Sequence, residues 1–348
     1  MVLQRDIDII MRSPVDWEKF RNKVILVTGA TGRLGMYIVE TLAQADINWN
    51  LNMRIFLLAR NRKKLEQVFG STLELPNVKT IEQDVTRSIA IESNVDYIFH
   101  TAGLASPMDF SAVPVDTLWG HVAGTHNVLE LARQKKASQV FYVSTVEIYG
   151  DWKDDKGITE QDMGEMQCDN ARACYPEAKR LSETMLAAYA AQYGIRYRGV
   201  RLCHTFGPGI MLNDGRAFAE FINDVVEDKD IVLQTDGSAM RTYTYVADAV
   251  GAMFLIATKG EDCNFYNVAN LDNLISIRDL AVLIASLDPK GKVKVRYANE
   301  NSQKLPYLPF RLGIMNVDKV MSLGWKPEVD LKTAFQYTLD FYLQNQRP

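Results

Sequence analysis

A tyrosine and a lysine four positions apart, Tyr175 and Lys179, are the residues of this chain best suited to proton chemistry. On a helix, positions i and i+4 lie on one face, so both side chains can enter one site. A free phenol loses its proton near pH ~10, too high for a base at neutral pH. A neighbouring ammonium favours the phenolate and lowers that value. Such a pair can take a proton from a hydroxyl while a hydride leaves the same carbon. Pro176 suits the first turn of a helix and puts Tyr175 at its mouth. Tyr149 and Lys153 share the spacing. That second pair flanks Gly150-Asp151 in a polar loop and reads as coincidence.

The elements that must position this pair are legible around it. Lys23 to Thr28 is a continuous apolar run, as in a strand buried on both faces. Gly29-Ala30-Thr31-Gly32-Arg33-Leu34-Gly35 follows at once, and Met36 to Ala43 has a helical pattern. Strand, glycine turn and helix in this order form a dinucleotide-binding fingerprint. Gly29 permits the tight turn, Gly32 lets a pyrophosphate approach the backbone, and Gly35 lets the helix pack on the strand. The helix N-terminus then faces the phosphates.

Arg54 to Ala59 reads as the second strand. Dinucleotide folds usually end it with an acid that holds a ribose, and here Ala59 is followed by Arg60, Asn61, Arg62 and Lys63. The arginines suit a 2′-phosphate and so NADP+, or they begin a solvated helix; both readings stand. Asp84-Val85 closes a short segment against which an adenine could rest. Val95 to Phe99 is a buried strand running into His100-Thr101-Ala102-Gly103, whose small residues let a cofactor lie across the strand end. Helical periodicity covers 115–134. Val140 to Val143 is a strand that ends in Ser144, Thr145, Val146 and Glu147. Ser144 and Thr145 are placed to bond a substrate hydroxyl. Glu147 stands where sites form in open α/β sheets, unless alternation turns it outward. The strand Arg198 to Cys203 comes after the Tyr175 helix.

Strands alternating with helices predict a Rossmann-type doubly wound parallel sheet over residues 23–203. Residues 1–22 read as a helical extension whose Ile7, Ile10, Met11 and Trp17 cover an edge of that domain. From Gly207-Pro208-Gly209 onward the chain is turn-rich. The division is a smaller C-terminal substrate-binding lobe over 204–240 and 263–348, with 241–262 returning to the dinucleotide domain. A cleft between the two is the expected ligand site.

Composition sets outer bounds. The 348 residues are 47% hydrophobic and 24% charged, with a net charge of −4 and no basic tract, which argues against nucleic acid. Acids within the first twenty residues argue against a signal peptide, and the apolar runs are too short for a membrane span. Four cysteines without CxxC spacing read as reduced thiols of a cytoplasmic protein.

Gly29-x-x-Gly32-x-x-Gly35, Asp84-Val85, Ser144-Thr145, Tyr175-x-x-x-Lys179, Gly207-Pro208 and Arg241 to Asp248 appear in this order. Together they resemble the extended short-chain dehydrogenase/reductases, over nearly all of the chain after residue 22. Within that superfamily the chain looks like the nucleotide-sugar 4-epimerases, 4,6-dehydratases and, most of all, UDP-glucuronate decarboxylases. Ala105-Ser106-Pro107, Cys174 to Arg180, Thr205 to Pro208 and Asn213 to Arg216 are similar to segments of that last group.

The resemblance implies NAD+ as cofactor, against the NADP+ that Arg60 favours. It implies that a sugar 4-hydroxyl gives its proton to Tyr175 and its hydride to the nicotinamide, with Thr145 or Ser144 on the same hydroxyl. A transient 4-keto sugar then loses carbon dioxide, water or its configuration before the hydride returns. Glu147 takes the position of a second acid/base. Arg241 and Arg216 would grip a diphosphate, unless Arg241 pairs with Asp248. Ser106 and His204 join the substrate-binding set. A homodimer through helices 115–134 and 175–193 is implied as well.

Three departures are plain. Val146 stands where the dehydratases carry an acid, His121 and His204 stand where asparagines are common, and Ala59-Arg60 replaces the usual acid. Other classes remain: an NADPH-consuming reductase, or a cofactor-binding sensor without catalysis.

Overall fold

A computed structural model describes residues 2–154, 156–298 and 312–345. The chain opens with α1 (Gln4–Arg12), followed by β1 (Val24–Thr28), α2 (Arg33–Trp49), β2 (Arg54–Ala59), α3 (Arg62–Phe69) and β3 (Val78–Glu82). Next come β4 (Tyr97–His100), α4 (Pro107–Ala112), α5 (Pro114–Lys135), β5 (Gln139–Thr145), α6 (Cys174–Tyr193) and β6 (Tyr197–Leu202). Then follow β7 (His204–Phe206), α7 (Ala217–Val226), β8 (Ile231–Leu233), β9 (Met240–Tyr245), α8 (Val246–Lys259) and β10 (Asn264–Val268). The last elements are β11 (Leu274–Ser276), α9 (Ile277–Ser286), β12 (Val295–Tyr297), α10 (Asp318–Met321) and α11 (Leu331–Asn345).

Seven strands form one sheet in the order β10-β6-β5-β4-β1-β2-β3. Every neighbouring pair is parallel. β1 and β5 are buried along their whole length, which is what their unbroken apolar runs require of central parallel strands. The order reverses between β1 and β4, where Thr28 sits beside His100. That reversal opens a crevice at the carboxyl ends of the strands, the usual ligand position in such sheets.

Two placements differ from the sequence division. β10, assigned above to the substrate lobe, pairs with β6 from Asn264↔Arg198 to Val268↔Leu202 and forms the sheet's outer edge. An uncovered β6 would leave a row of buried backbone groups unpaired, and β10 satisfies them. β9, expected to return to the dinucleotide domain, instead joins β7 and β11 in a separate three-stranded sheet. Only α8 returns. It buries every residue from Val246 to Thr258, so it needs cover on all sides.

α1 supplies part of that cover, lying over α8 and α2 and not along a sheet edge. Ile7 and Ile10 are buried, and Asp6 accepts hydrogen bonds from Tyr37 Oη at 2.7 Å and Tyr245 Oη at 2.8 Å. No helix among the described residues is long and apolar enough to cross a membrane.

Candidate active site

The first turn of α6 delivers Tyr175. A short 3₁₀ turn at Ala171–Ala173, capped by the Asn170 side chain on Arg172 N, runs straight into the helix. The Tyr175 ring stacks on Phe110 at 4.3 Å between centroids and 15° between planes. His121 meets it edge-on at 5.4 Å. Lys179, one turn on, donates from Nζ to Val143 O at 2.8 Å and lies 5.9 Å from the Tyr175 ring centroid. The two residues therefore share one buried site, as their spacing predicts.

The electrostatics differ from the expectation. Burial, then the charge of Glu147, raises the Tyr175 pKa, while Thr145, Arg172 and Arg216 pull it the other way. Burial also brings Lys179 down to about 7. Loss of water dominates both shifts, so the chain by itself keeps a neutral phenol. His100 and His121 stay neutral for the same reason, burial first and Lys179 second.

Thr145 and Ser144 end β5 directly beneath this pair. The Thr145 hydroxyl accepts from Glu147 N at 3.3 Å, and Ser144 Oγ is buried without a partner. Glu147 points inward, and the outward reading fails. Arg172 Nη2 holds both of its carboxylate oxygens, at 3.2 and 2.9 Å, with both side chains about 85% buried. The Arg172 guanidinium lies 4.6 Å from the Phe110 ring centroid, so Glu147, Arg172, Phe110 and Tyr175 form one continuous column. Burial raises the Glu147 pKa against the pull of Arg172, Arg216 and Arg241. Arg172 alone touches this carboxylate, and Arg216 and Arg241 act on it at longer range.

Arg216 is clamped to Asp214, donating from Nε at 2.8 Å and again through Nη2. Arg241 does not pair with Asp248, whose carboxylate accepts from Glu328 N and Val329 N. Arg241 instead lines a small cleft, about 20 Å³, with Val146, Cys203, His204 and residues Leu312 to Met315. His204 is neutral, its pKa lowered by burial to about 3, and it packs on Tyr243. Ser106 caps α4: its Oγ accepts from Asp109 N and donates to Asp109 Oδ2.

The cofactor side is a cradle at the strand reversal. Gly29 adopts φ +67°, and a Cβ there would stand 2.7 Å from Ala102 Cα. A Cβ on Gly35 would stand 2.3 Å from Gly29 O. The loop of Thr101, Ala102 and Gly103 is pinned by Thr101 Oγ1 to Thr28 O at 2.7 Å and by His121, which meets Leu104 O at 2.8 Å. Thr31, Gly32, Arg33 and Leu34 complete the turn into α2. These residues fit a dinucleotide: tight glycine backbone, a helix N-terminus, and buried donors on Arg33 without acceptors.

Beyond β3, Asp84 accepts from Thr86 N and Oγ1, and its pKa is depressed although burial works against that. Asn127 holds Val85 O. Arg60 is largely exposed, 4.0 Å from Asp84, and Arg62 pairs with Glu66 one turn along α3. The solvated-helix reading holds for Arg62.

Phe110 and Arg172 escaped the sequence reading. Their only signal is position: Arg172 lies three residues before Tyr175, and Phe110 four after Ser106. Tyr149 and Lys153 serve elsewhere: Tyr149 Oη donates to Asn267, and Lys153 pairs with exposed Glu165.

Comparison with known proteins agrees with this architecture. Residues 25–269 match the NAD dependent epimerase/dehydratase family. A UDP-glucuronic acid decarboxylase 6 of Arabidopsis thaliana is 30% identical over 92% of this chain and 90% of its own. A UDP-glucuronic acid decarboxylase 1 of Xenopus tropicalis is 31% identical over 93% of this chain and 73% of its own. Among solved structures, a dTDP-glucose 4,6-dehydratase of Streptomyces venezuelae with NAD bound aligns at a TM-score of 0.76 and 22% identity, covering 93% of this chain and 98% of that one. A UDP-glucuronic acid 4-epimerase of Bacillus cereus aligns at 0.77 and 18% identity, over 92% and 99%. The chain belongs to the NAD dependent epimerase/dehydratase family.

Proposed function

We propose that this chain converts a nucleotide sugar through a transient 4-keto sugar, with decarboxylation of UDP-glucuronate as the net reaction. The observation that carries this is the buried column of Glu147, Arg172, Phe110 and Tyr175, which sets a second acid/base beside the tyrosine. The decarboxylase names of relatives similar over nearly the whole chain support the same reading. NAD+ is the proposed cofactor. Structural relatives with NAD bound support it, and Arg62 is tied to Glu66.

When bound, the nicotinamide supplies the hydride acceptor and donor, and a positive ring charge that favours a nearby phenolate. Tyr175 accepts the proton of the sugar 4-hydroxyl and later gives it back. Ser144 and Thr145 hold that oxygen, and Ser144 Oγ has no competing partner. Lys179, anchored on Val143 O, stands behind the tyrosine and adds a positive charge there when protonated. Once C4 is a ketone, the C5 carboxylate is that of a β-keto acid. The bond to carbon dioxide breaks, its electron pair stays on C5, and a proton is needed there. In this reading Glu147 gives it, its carboxyl pushed by burial toward the protonated form. Arg241 and Arg216 are the diphosphate grips.

A dehydratase would need a further acid to expel a hydroxyl, and the neighbouring residue is the buried Val146. We place the enzyme in carbohydrate biosynthesis in the cytoplasm, in keeping with four free thiols. It works as a homodimer. α5 and α6 pack on each other and expose Val115, Leu118, Trp119 and Leu181 on their outer faces.

Mass spectrometry after incubation with a panel of UDP-glucuronate, UDP-glucose and dTDP-glucose, with NAD+ and NADPH supplied separately, tests the proposal. Loss of carbon dioxide from UDP-glucuronate alone supports it. Loss of water from a glucose derivative, or consumption of NADPH, would replace it with dehydratase or reductase chemistry.

A further inference from the structure

Arg33 is the first residue of α2, directly after Gly32, yet its side chain leaves the glycine turn and reaches the second lobe. Its Nη2 donates to Thr205 O at 2.7 Å. Nε and Nη1 are shut off from solvent and meet no acceptor. Asp214, the acid that bears on Arg33, is already clamped by Arg216. Asp214 thus pairs with Arg216 and acts on Arg33 only at longer range. A cation removed from water with idle donors is costly unless an anion completes it. The strain shows in its pKa, which burial, followed by repulsion from Arg216, brings down to about 9.

Residue type sharpens the point. A guanidinium keeps its charge and offers a planar fork that matches two phosphate oxygens. The backbone from which Arg33 springs is the helix start that faces phosphates in this kind of turn. On the far side stands Arg216, in the lobe that would hold the sugar. The anion that both neighbourhoods suit is a diphosphate, carried either by the dinucleotide or by the nucleotide sugar.

We propose that Arg33 is a diphosphate-binding residue whose idle Nε and Nη1 are completed by the ligand, tying ligand binding at the glycine turn to the position of the second lobe. The inference rests on the nucleotide-sugar reading above.

The test replaces Arg33 by methionine, which keeps length and removes charge. Calorimetric titration with NAD+ and, separately, with UDP gives affinity, and thermal unfolding gives the stability of the ligand-free protein. Arg33→Met is expected to unfold at a temperature no lower than the parent, because the lost charge had no counter-ion. Its affinity for one diphosphate ligand falls about tenfold or more. A loss confined to NAD+ assigns Arg33 to the cofactor, and a loss confined to UDP assigns it to the sugar nucleotide. Arg33→Lys, which restores charge without the fork, recovers part of the loss and serves if the methionine variant fails to fold. Unchanged affinity for both ligands in either variant overturns the inference and leaves Arg33 a tether to Thr205. A parent protein that binds neither NAD+, NADP+ nor UDP overturns the functional reading itself, and this inference with it.

Discussion

Burial and the charge of Glu147 oppose the ionisation of Tyr175, against the pull of Thr145, Arg172 and Arg216. Lys179, itself brought down to about 7, is half neutral near that pH. The chain supplies position, and the cofactor's charge supplies the remaining bias toward phenolate. Tyr175→Phe should lower kcat by about 10³ or more while NAD+ affinity stays within about twofold, read by steady-state kinetics and titration.

Lys179 yields a stability prediction with a definite sign. An unfolded lysine holds its proton to pH ~10.4, so between about 7 and that value the unfolded chain binds more protons. Stability of the ligand-free protein should rise with pH from 7 toward 10. Lys179→Met should flatten that part of the Tm-against-pH curve, and an unchanged slope would show that Lys179 is not the group responsible.

Arg172 gives a third test. Removing it strands the Glu147 carboxylate, so Arg172→Met should cost roughly 3 kcal/mol in urea unfolding. Adding Glu147→Gln to that variant should return much of the loss.

At this scale the sequence was informative where a residue belongs to a strong local pattern. Tyr175, Lys179, Thr145 and Glu147 follow from a helix start and a strand end. Phe110 and Arg172 reach Tyr175 because α4 and the turn before α6 meet in space, and no local spacing records such a meeting.

Among the elements, patterning revealed β1, α5 and β5 nearly whole, whereas α2 was read only from Met36 to Ala43 of a helix that spans Arg33–Trp49. β10 was misassigned because Asn264 to Val268 is short and gains its place from the open edge of β6, a requirement set by a strand some sixty residues earlier. α1 was readable as a helix, yet its partner was not: only an α8 buried all round explains why a cover is needed there. Asp6 fixes that cover. Asp6→Ala leaves the Tyr37 and Tyr245 hydroxyls buried without acceptors and should cost about 2–4 kcal/mol, measured by denaturant unfolding. A loss near zero would mean that α1 is held by its apolar face alone.

For the whole molecule, a parallel sheet with its order reversed beside Thr28 places the cofactor cradle, the Tyr175 column and the Arg241 cleft along one end. The exposed apolar faces of α5 and α6 lie outside that site and are the proposed dimer contact. Trp119→Glu should convert a dimer into a monomer in light scattering, with cofactor affinity retained. A parent protein that is already monomeric would remove the contact from the account.

In the proposed mechanism hydride leaves and returns to the same sugar carbon under the control of Tyr175. UDP-glucuronate deuterated at C4, incubated with the enzyme and NAD+, tests it most directly. The account predicts a decarboxylated product that keeps deuterium at C4, with no net change in cofactor absorbance. A product that has lost the label, or net consumption of cofactor, would contradict it.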